Sequence, residues 1–346
     1  MPNTLDILNP LHLPAWDDLV LGHPEGTIFH TAAWARVLHD SYGYTPVYFV
    51  SLRNNTLETL IPFMDVRSIL TGRRGVSLPF TDYCRSILPS GLGFHEVFSQ
   101  LVDHGARLGW KSMELRSDTP LPPGVPASAA FLRHTLDLTA GESGLYSNLR
   151  DSTRRNIRKA VKSGVTVTLE TSTGALREFY RLNCITRRTH GVPPQPFRFF
   201  EKLHEHVLST GLGSIFLARA EGRVVAGAVF LTFGPRAVYK YGASDRRFQH
   251  LRANNLVMWE AVRRLASQGC GSLCFGRTEP DNAGLLQFKQ GWSAAGETLS
   301  YCRYDLKRRR FVPEQPLVPG LRQRIFQAMP VPLLRLTGQV LYRHAG

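Results

Sequence analysis

The sequence predicts an α/β (α+β) fold of two mixed-sheet domains, and three observations carry that expectation. At 346 residues the chain exceeds the roughly 100–200 of one ordinary domain. Its 43% hydrophobic and 20% charged residues supply packed cores and exclude wholesale disorder. Turn-punctuated strands also alternate with helices, loosely in the first half and in a clean order from Val165 onward.

Taken in order, a helix is predicted over 32–40, then strands over 47–52 and 57–66 around the Arg53-Asn54-Asn55 turn. A helix over 94–109 closes at Gly109 and leads into a strand over 111–116. Pro120, Pro122, Pro123 and Pro126 make a loop before a strand over 131–138. The next helix, 145–163, stops at Gly164, and a strand over 165–170 follows. Ser172 or Thr173 caps a helix running to Gly191, and Pro196 opens another that ends at Gly211. Strands over 214–220, 224–233 and 237–243 are parted by Glu221-Gly222-Arg223 and Gly234-Pro235. A helix over 254–268, a strand over 272–275, a helix over 282–289 and a strand over 298–306 complete the pattern. From 165 the order β-α-α-β-β-β-α-β-α-β matches the fold of the GCN5-related N-acetyltransferases, whose splayed mixed sheet places acyl donor and amine in one cleft. The first half reads as an incomplete version of it. Domains are therefore expected at 1–144 and 145–306, followed by a basic tail at 307–346.

Lys and Arg number 42 against 27 Asp and Glu, a net charge of +15. Such an excess calls for an anionic partner: nucleic acid, a phosphorylated substrate or an acidic lipid surface. The N-terminus carries no visible secretory signal, and no run reaches the ~20 apolar residues of a membrane span. Five scattered cysteines do not form a disulfide scaffold. Cys270-x3-Cys274 and His204-x-His206 lack partners at zinc spacing, so no metal is expected. The reading is a reduced, cytoplasmic protein.

Two constellations carry chemistry. On the helix 145–163, Arg150, Arg154, Arg155, Arg158, Lys159 and Lys162 fall on one arc, opposite Leu145, Leu149, Ile157, Ala160 and Val161. Like charges at i, i+4 repel, so the stripe reads either as a solvated face or as a contact for phosphate. The second runs from Phe275-Gly276-Arg277 through Asp281-Asn282 to Phe288-Lys289-Gln290-Gly291-Trp292. Gly276 lets the chain turn where a sheet opens, Asp281 or Asn282 caps the next helix, and Lys289 brings an ammonium beside the strand ends. Lys289 is either an ordinary surface lysine or a stabiliser of oxyanion or phosphate charge.

Asn156-Ile157-Arg158-Lys159-Ala160-Val161-Lys162-Ser163-Gly164-Val165 together with Phe275-Gly276 and Phe288-Lys289-Gln290-Gly291-Trp292 resembles the FemAB/FemX peptidyltransferases. The likeness spans about residues 20–305 and is closest to the FemAB-like acyltransferases of exopolysaccharide and cell-envelope assembly. Arg188-Thr189-His190-Gly191-Val192-Pro193-Pro194 and Leu78-Pro79-Phe80-Thr81-Asp82-Tyr83 resemble segments of the same proteins. The resemblance implies two tandem GCN5-related domains and transfer of an amino acid from aminoacyl-tRNA to an amine of a peptidoglycan precursor. It implies Phe288 and Lys289 as the donor-site pair. It also implies Arg158 and Lys159 of the basic helix as substrate contacts; Arg154 and Arg155 of the same charged stripe, with His190, Arg277 and Asp281, are read as candidates beside them. Between Val165 and Leu306 there is no room for the coiled-coil arm of many tRNA-using members, which favours the shorter envelope-associated relatives.

An acyl-CoA donor is the alternative. Coenzyme A pyrophosphate needs a Gly-rich turn between the fourth strand and third helix, whereas 244–255 here contains no glycine. Arg246, Arg247 and Arg252 are the side chains that replace it as donor contacts. No cofactor is expected beyond the donor co-substrate. With no Ser-His-Asp or Cys-His signature, the acceptor attacks the acyl carbonyl directly. Asp82, Tyr239 and Tyr241 are candidates to orient it, against plainer readings as a turn-former and strand aromatics.

In the tail, Lys307, Arg308, Arg309, Arg310, Arg322, Arg324, Arg335 and Arg343 face only Glu314. They interleave with apolar residues in two amphipathic segments divided by Pro330 and Pro332. These segments either lie on an anionic inner leaflet or pack against the body. The expected partners are thus a phosphorylated or lipid-linked glycan or peptide precursor, tRNA and the membrane surface. Against the enzyme stands one reading from another class, a non-catalytic RNA- or membrane-binding adaptor.

Overall fold

The computed structural model describes residues 5–89, 94–117, 124–313 and 320–345. In chain order it begins β1 (Asp6–Leu8), α1 (Trp16–Leu21), α2 (Ala32–Tyr42), β2 (Thr45–Arg53), β3 (Thr56–Ser68) and β4 (Gly72–Val76). Next come α3 (Phe94–Arg107), β5 (Ser112–Ser117), β6 (Ala129–Asp137), α4 (Gly141–Ser147) and α5 (Asp151–Lys162). The middle holds β7 (Thr166–Glu170), α6 (Thr173–Thr189), α7 (Phe197–Leu203), β8 (Gly213–Ala220), β9 (Arg223–Phe233) and β10 (Arg236–Ser244). The rest is α8 (Ala253–Ser267), β11 (Ser272–Thr278), α9 (Ala283–Gln290), β12 (Ala295–Asp305), β13 (Arg310–Val312), α10 (Leu321–Ala328) and α11 (Val331–Ala345). The predicted order from 165 is present throughout. Pro120, Pro122 and Pro123 lie outside the described residues.

The chain divides into a first unit of 1–132, 298–317 and 341–346, and a second of 133–297 and 318–340. In the first unit the strand order is β1-β2-β3-β4-β5-β12, with β13 on β12. Strand β4 escapes prediction because Gly72-Arg73-Arg74-Gly75-Val76 is poor in strand formers. Its place is set by tertiary contacts. A Cβ on Gly75 would lie 2.2 Å from the Trp110 ring, so glycine is what allows the indole to lie against the strand. The indole N–H donates to buried Asp65 at 2.9 Å, and Arg73 holds the same carboxylate at 2.8 Å.

In the second unit the order is β6-β11-β10-β9-β8-β7. Strands β7 to β10 form an antiparallel meander, and β10 pairs with β11 in parallel. Alternation along β9 divides the faces: Ala226, Ala228 and Phe230 join the core under α5 and α8, while Gly227 lies against Phe179 of α6.

Two expectations need correction. The helix expected over 145–163 is two helices, α4 and α5, because Arg150 is extended (φ −57°, ψ 143°) and its N–H goes to the Gly291 carbonyl at 3.1 Å. The break buries Leu149 and resets the register, which leaves Val161 exposed rather than on the apolar arc. The α5 terminus is as read: Gly164 takes φ +72° and closes it.

Candidate functional site

The parallel pairing of β10 with β11 is short, from Arg236↔Ser272 to Val238↔Cys274. Beyond that the strands part. A bulge between Tyr239 and Tyr241 shifts the β10 register against β9. Tyr239 therefore packs on Phe230 and Phe275 on the α8 face, and Tyr241 packs on Phe199 and Phe200 on the α7 face. Burial pushes the Tyr239 hydroxyl up to about 12. The Tyr241 hydroxyl donates to Gln195 Oε1 at 2.9 Å. The two tyrosines do not share a site.

Lys289 lies against the end of β11, past its last pairing with β10. It is 1% exposed, and its Nζ donates to the carbonyls of Gly276 (2.8 Å) and Arg277 (3.2 Å) on β11. Gly276 has φ +68°, the turn that presents its carbonyl. Two carbonyls of β11 past its last pair with β10 are thus met by an ammonium. His134 of β6 has its pKa lowered by burial and by the Lys289 charge, so it stays a neutral imidazole.

Phe288, one residue earlier, turns the other way and lines a cleft of about 500 Å³. That volume suits a ligand of nucleotide size. Its floor is Val225 and Ala226 of β9, and one wall is the first turn of α8, from Ala253 to Asn255. No side chain caps α8, whose N-cap Arg252 sits at φ 59° in the left-handed region. The uncapped N–H groups and the positive helix end suit an anion. Ser152, Thr153 and Asn156 of α5 and Gly284 and Gln287 of α9 complete the lining. A Cβ on Gly291 would lie 2.5 Å from Thr153 Oγ1, so this glycine lets the two helices approach.

A second cleft, about 380 Å³, shares Asp245 and Phe248 with the first and is lined by Arg181, Arg219, Arg223 and Arg247. Arg247 holds the Asp245 carboxylate at 2.5 Å, and that hydrogen bond keeps Asp245 below the usual carboxylate range.

Of the donor contacts expected from sequence, only Arg252 lines the main cleft. Arg247 belongs to the neighbouring one, and Arg246 is exposed, near enough to His190 to help keep it neutral. Burial is the larger cause of the lowered His190 pKa, with Arg187 and Arg246 adding and Glu279 opposing. On α5 the cleft takes the uncharged stripe Ser152, Thr153 and Asn156, while Arg155, Arg158 and Lys159 are exposed. Arg154 is tied to Asp151 and to the Ser147 carbonyl. Asn282, not Asp281, caps α9, accepting from Leu285 N at 3.2 Å. Asp281 is exposed, and Arg277 is half-buried on β11. In the first unit the Asp82 carbonyl accepts from Tyr301 at 2.5 Å. Sequence reasoning missed Asn156, Asn254, Asn255 and Gly284. The signal for Asn254 and Asn255 was the stretch between fourth strand and third helix, which drew attention to its arginines instead, while Asn156 and Gly284 stood among the more conspicuous charged and aromatic residues of their motifs.

Gly284 offers a direct test of the cleft, since a side chain there meets nothing within 4 Å. Gly284→Trp is expected to fill the opening and lower phosphate-ligand affinity at least about tenfold. Thermal stability should hold or rise, because glycine in a helix costs ~0.5–1 kcal/mol. Isothermal titration beside a melting curve checks both.

Residues 147–290 match the acetyltransferase (GNAT) domain family. No curated protein matches the chain. Among solved structures, the crystal structure of FemX superposes with a TM-score of 0.66 at 14% identity, covering 82% of this chain and 94% of its own. A tandem GNAT protein from the clavulanic acid biosynthesis pathway gives 0.55 at 9% identity, covering 87% and 98%. L-PGS from Bacillus licheniformis gives 0.53 at 12% identity, covering 92% and 97%. At such identities the likeness is one of fold. Residues 147–290 are thus similar to a GNAT acetyltransferase domain, and the fold of the chain is similar to those of FemX and of a tandem GNAT protein.

Proposed function

We propose that the second unit transfers an acyl or aminoacyl group from a phosphate-bearing donor to an amine or hydroxyl of a cell-envelope glycan or peptidoglycan-type precursor, on the cytoplasmic side. The observation that carries the reading is the uncapped N-terminus of α8 opening on the cleft that Phe288 lines. The four arginines of the neighbouring cleft, three of them paired with Glu178, Glu170 and Asp245, extend the cationic surface beyond one pyrophosphate through Arg223 and the remaining guanidinium donors. That extension favours aminoacyl-tRNA, whose charge continues along a backbone. Acyl-CoA is the second reading, supported by the position of the cleft between fourth strand and third helix. In either case the acceptor attacks the donor carbonyl directly. The acyl–oxygen or acyl–sulfur bond breaks, and the proton leaves with the displaced hydroxyl or thiol.

Asn254→Asp tests this. The variant puts a carboxylate in the first turn of α8, which stabilises the helix by ~0.3–1 kcal/mol. Stability is expected to hold while donor affinity falls about tenfold or more through charge repulsion with phosphate. Equilibrium dialysis with labelled aminoacyl-tRNA and labelled acetyl-coenzyme A, one at a time, identifies the donor by retention. Binding unchanged by the carboxylate would overturn the site, and retention of a donor without any transfer would favour the adaptor.

A further inference from the structure

The two C-terminal helices both dock on the residues that join α6 to α7, and both turn an unlike face outward. In α10, Gln323 and Gln327 donate to the carbonyls of His190 and Thr189, each at 3.2 Å. By the helical period Ile325 lies on the opposite side, exposed between exposed Arg322 and Arg324. In α11, Leu334 is fully buried, and a Cβ on Gly338 would lie 2.0 Å from the Pro194 carbonyl, so this face fits against the body with no space to spare. Arg335 covers the Tyr180 ring at 5.2 Å. Leu333, Leu336 and Val340, spaced i, i+3, i+7, fall on the other side and are 55%, 57% and 57% exposed, with exposed Arg343 beside them.

Packing against the body and presenting an apolar, cationic surface are therefore not alternatives for this tail, because opposite faces do each. Residues 320–345 contain no Asp or Glu. A second copy of the chain, itself carrying the same arginines here, would meet like charge with like. We propose that the outward faces of α10 and α11 form a docking surface for an anionic lipid bilayer. Ile325, Leu333, Leu336 and Val340 enter the headgroup region, and Arg322, Arg324 and Arg343 meet lipid phosphates. The inference stands independently of the donor and acceptor of the transfer reaction.

Flotation of the full chain with phosphatidylcholine vesicles, with and without phosphatidylglycerol, tests it. The protein is expected to float with the anionic vesicles only, and less as salt is added. Arg322→Gln and Arg343→Gln should each weaken partitioning roughly fivefold. Leu336→Glu and Val340→Glu should weaken it at least about tenfold, with circular dichroism and melting temperature unchanged because both side chains are exposed. Absence of flotation, equal flotation of the variants, or self-association that Leu336→Glu abolishes would each overturn the proposal, the last by assigning the face to a second copy.

Discussion

Replacing Lys289 by methionine is expected to lower acyl transfer about tenfold or more by loosening the α9–β11 contact that positions Phe288 in the cleft, since a charge-assisted hydrogen bond contributes ~1.5–3 kcal/mol. The ammonium is almost completely buried against β11, past the last pairing of that strand with β10. It is the side chain that meets the carbonyls of Gly276 and Arg277. Methionine leaves both carbonyls without that donor and removes the positive charge beside His134. Charge-assisted bonds of this kind contribute ~1.5–3 kcal/mol, so a lower melting temperature should accompany the loss of rate. Lys289→Arg separates the two effects. A planar guanidinium restores charge without the compact geometry two adjacent carbonyls require, and it should recover stability more than turnover. Single-turnover transfer from the retained donor, measured beside a melting curve, reads both. Full turnover in the methionine variant would leave Lys289 as a structural contact of β11 alone.

Asp65→Ala is expected to destabilise the first unit by about 1–3 kcal/mol, the cost of leaving the Trp110 indole N–H and a partly exposed Arg73 without their acceptor. Arg73 contacts the carboxylate through two nitrogens, the Trp110 indole donates at 2.9 Å, and Arg67 adds a contact at 3.1 Å. Burial alone would push the Asp65 pKa up, but the hydrogen bonds from Arg73, Trp110 and Arg67 together hold it below its ordinary value. The sign of the pH dependence follows. A carboxyl depressed in the folded state contributes its stability above the ordinary carboxylate range. That contribution is lost as the pH falls from there through the depressed value. Acid titration followed by tryptophan fluorescence should therefore show a steep loss in the wild type and a shallower one in Asp65→Asn. Identical acid profiles would show that the carboxylate is not ionised in the folded protein.

Much of the second unit was legible because its signals are local. Ser172 caps α6 through Ala175 N, Gly164 takes its left-handed turn, and the three meander strands fall within one or two residues of their expected ends. Strand β4 was not legible, since two arginines and two glycines form a strand there only because Trp110 and Asp65 hold them. The break at Arg150 was hidden for the same reason: its amide is satisfied by Gly291, far away in sequence. At the site, Phe288 and Lys289 stood out as neighbours in the chain, yet only the geometry sends one to the cleft and the other to the opened strands.

By itself the sequence determined the order of elements, the concentration of positive charge and the residues at which helices start and stop, because periodicity and cap chemistry act over a few residues. Tertiary structure decided which polar groups meet the cleft. The α5 cations lie on an exposed arc while Ser152, Thr153 and Asn156 turn inward. That selection depends on a helix break fixed by a hydrogen bond between residues distant in the chain, Arg150 N–H to the Gly291 carbonyl, whose energy no local pattern contains.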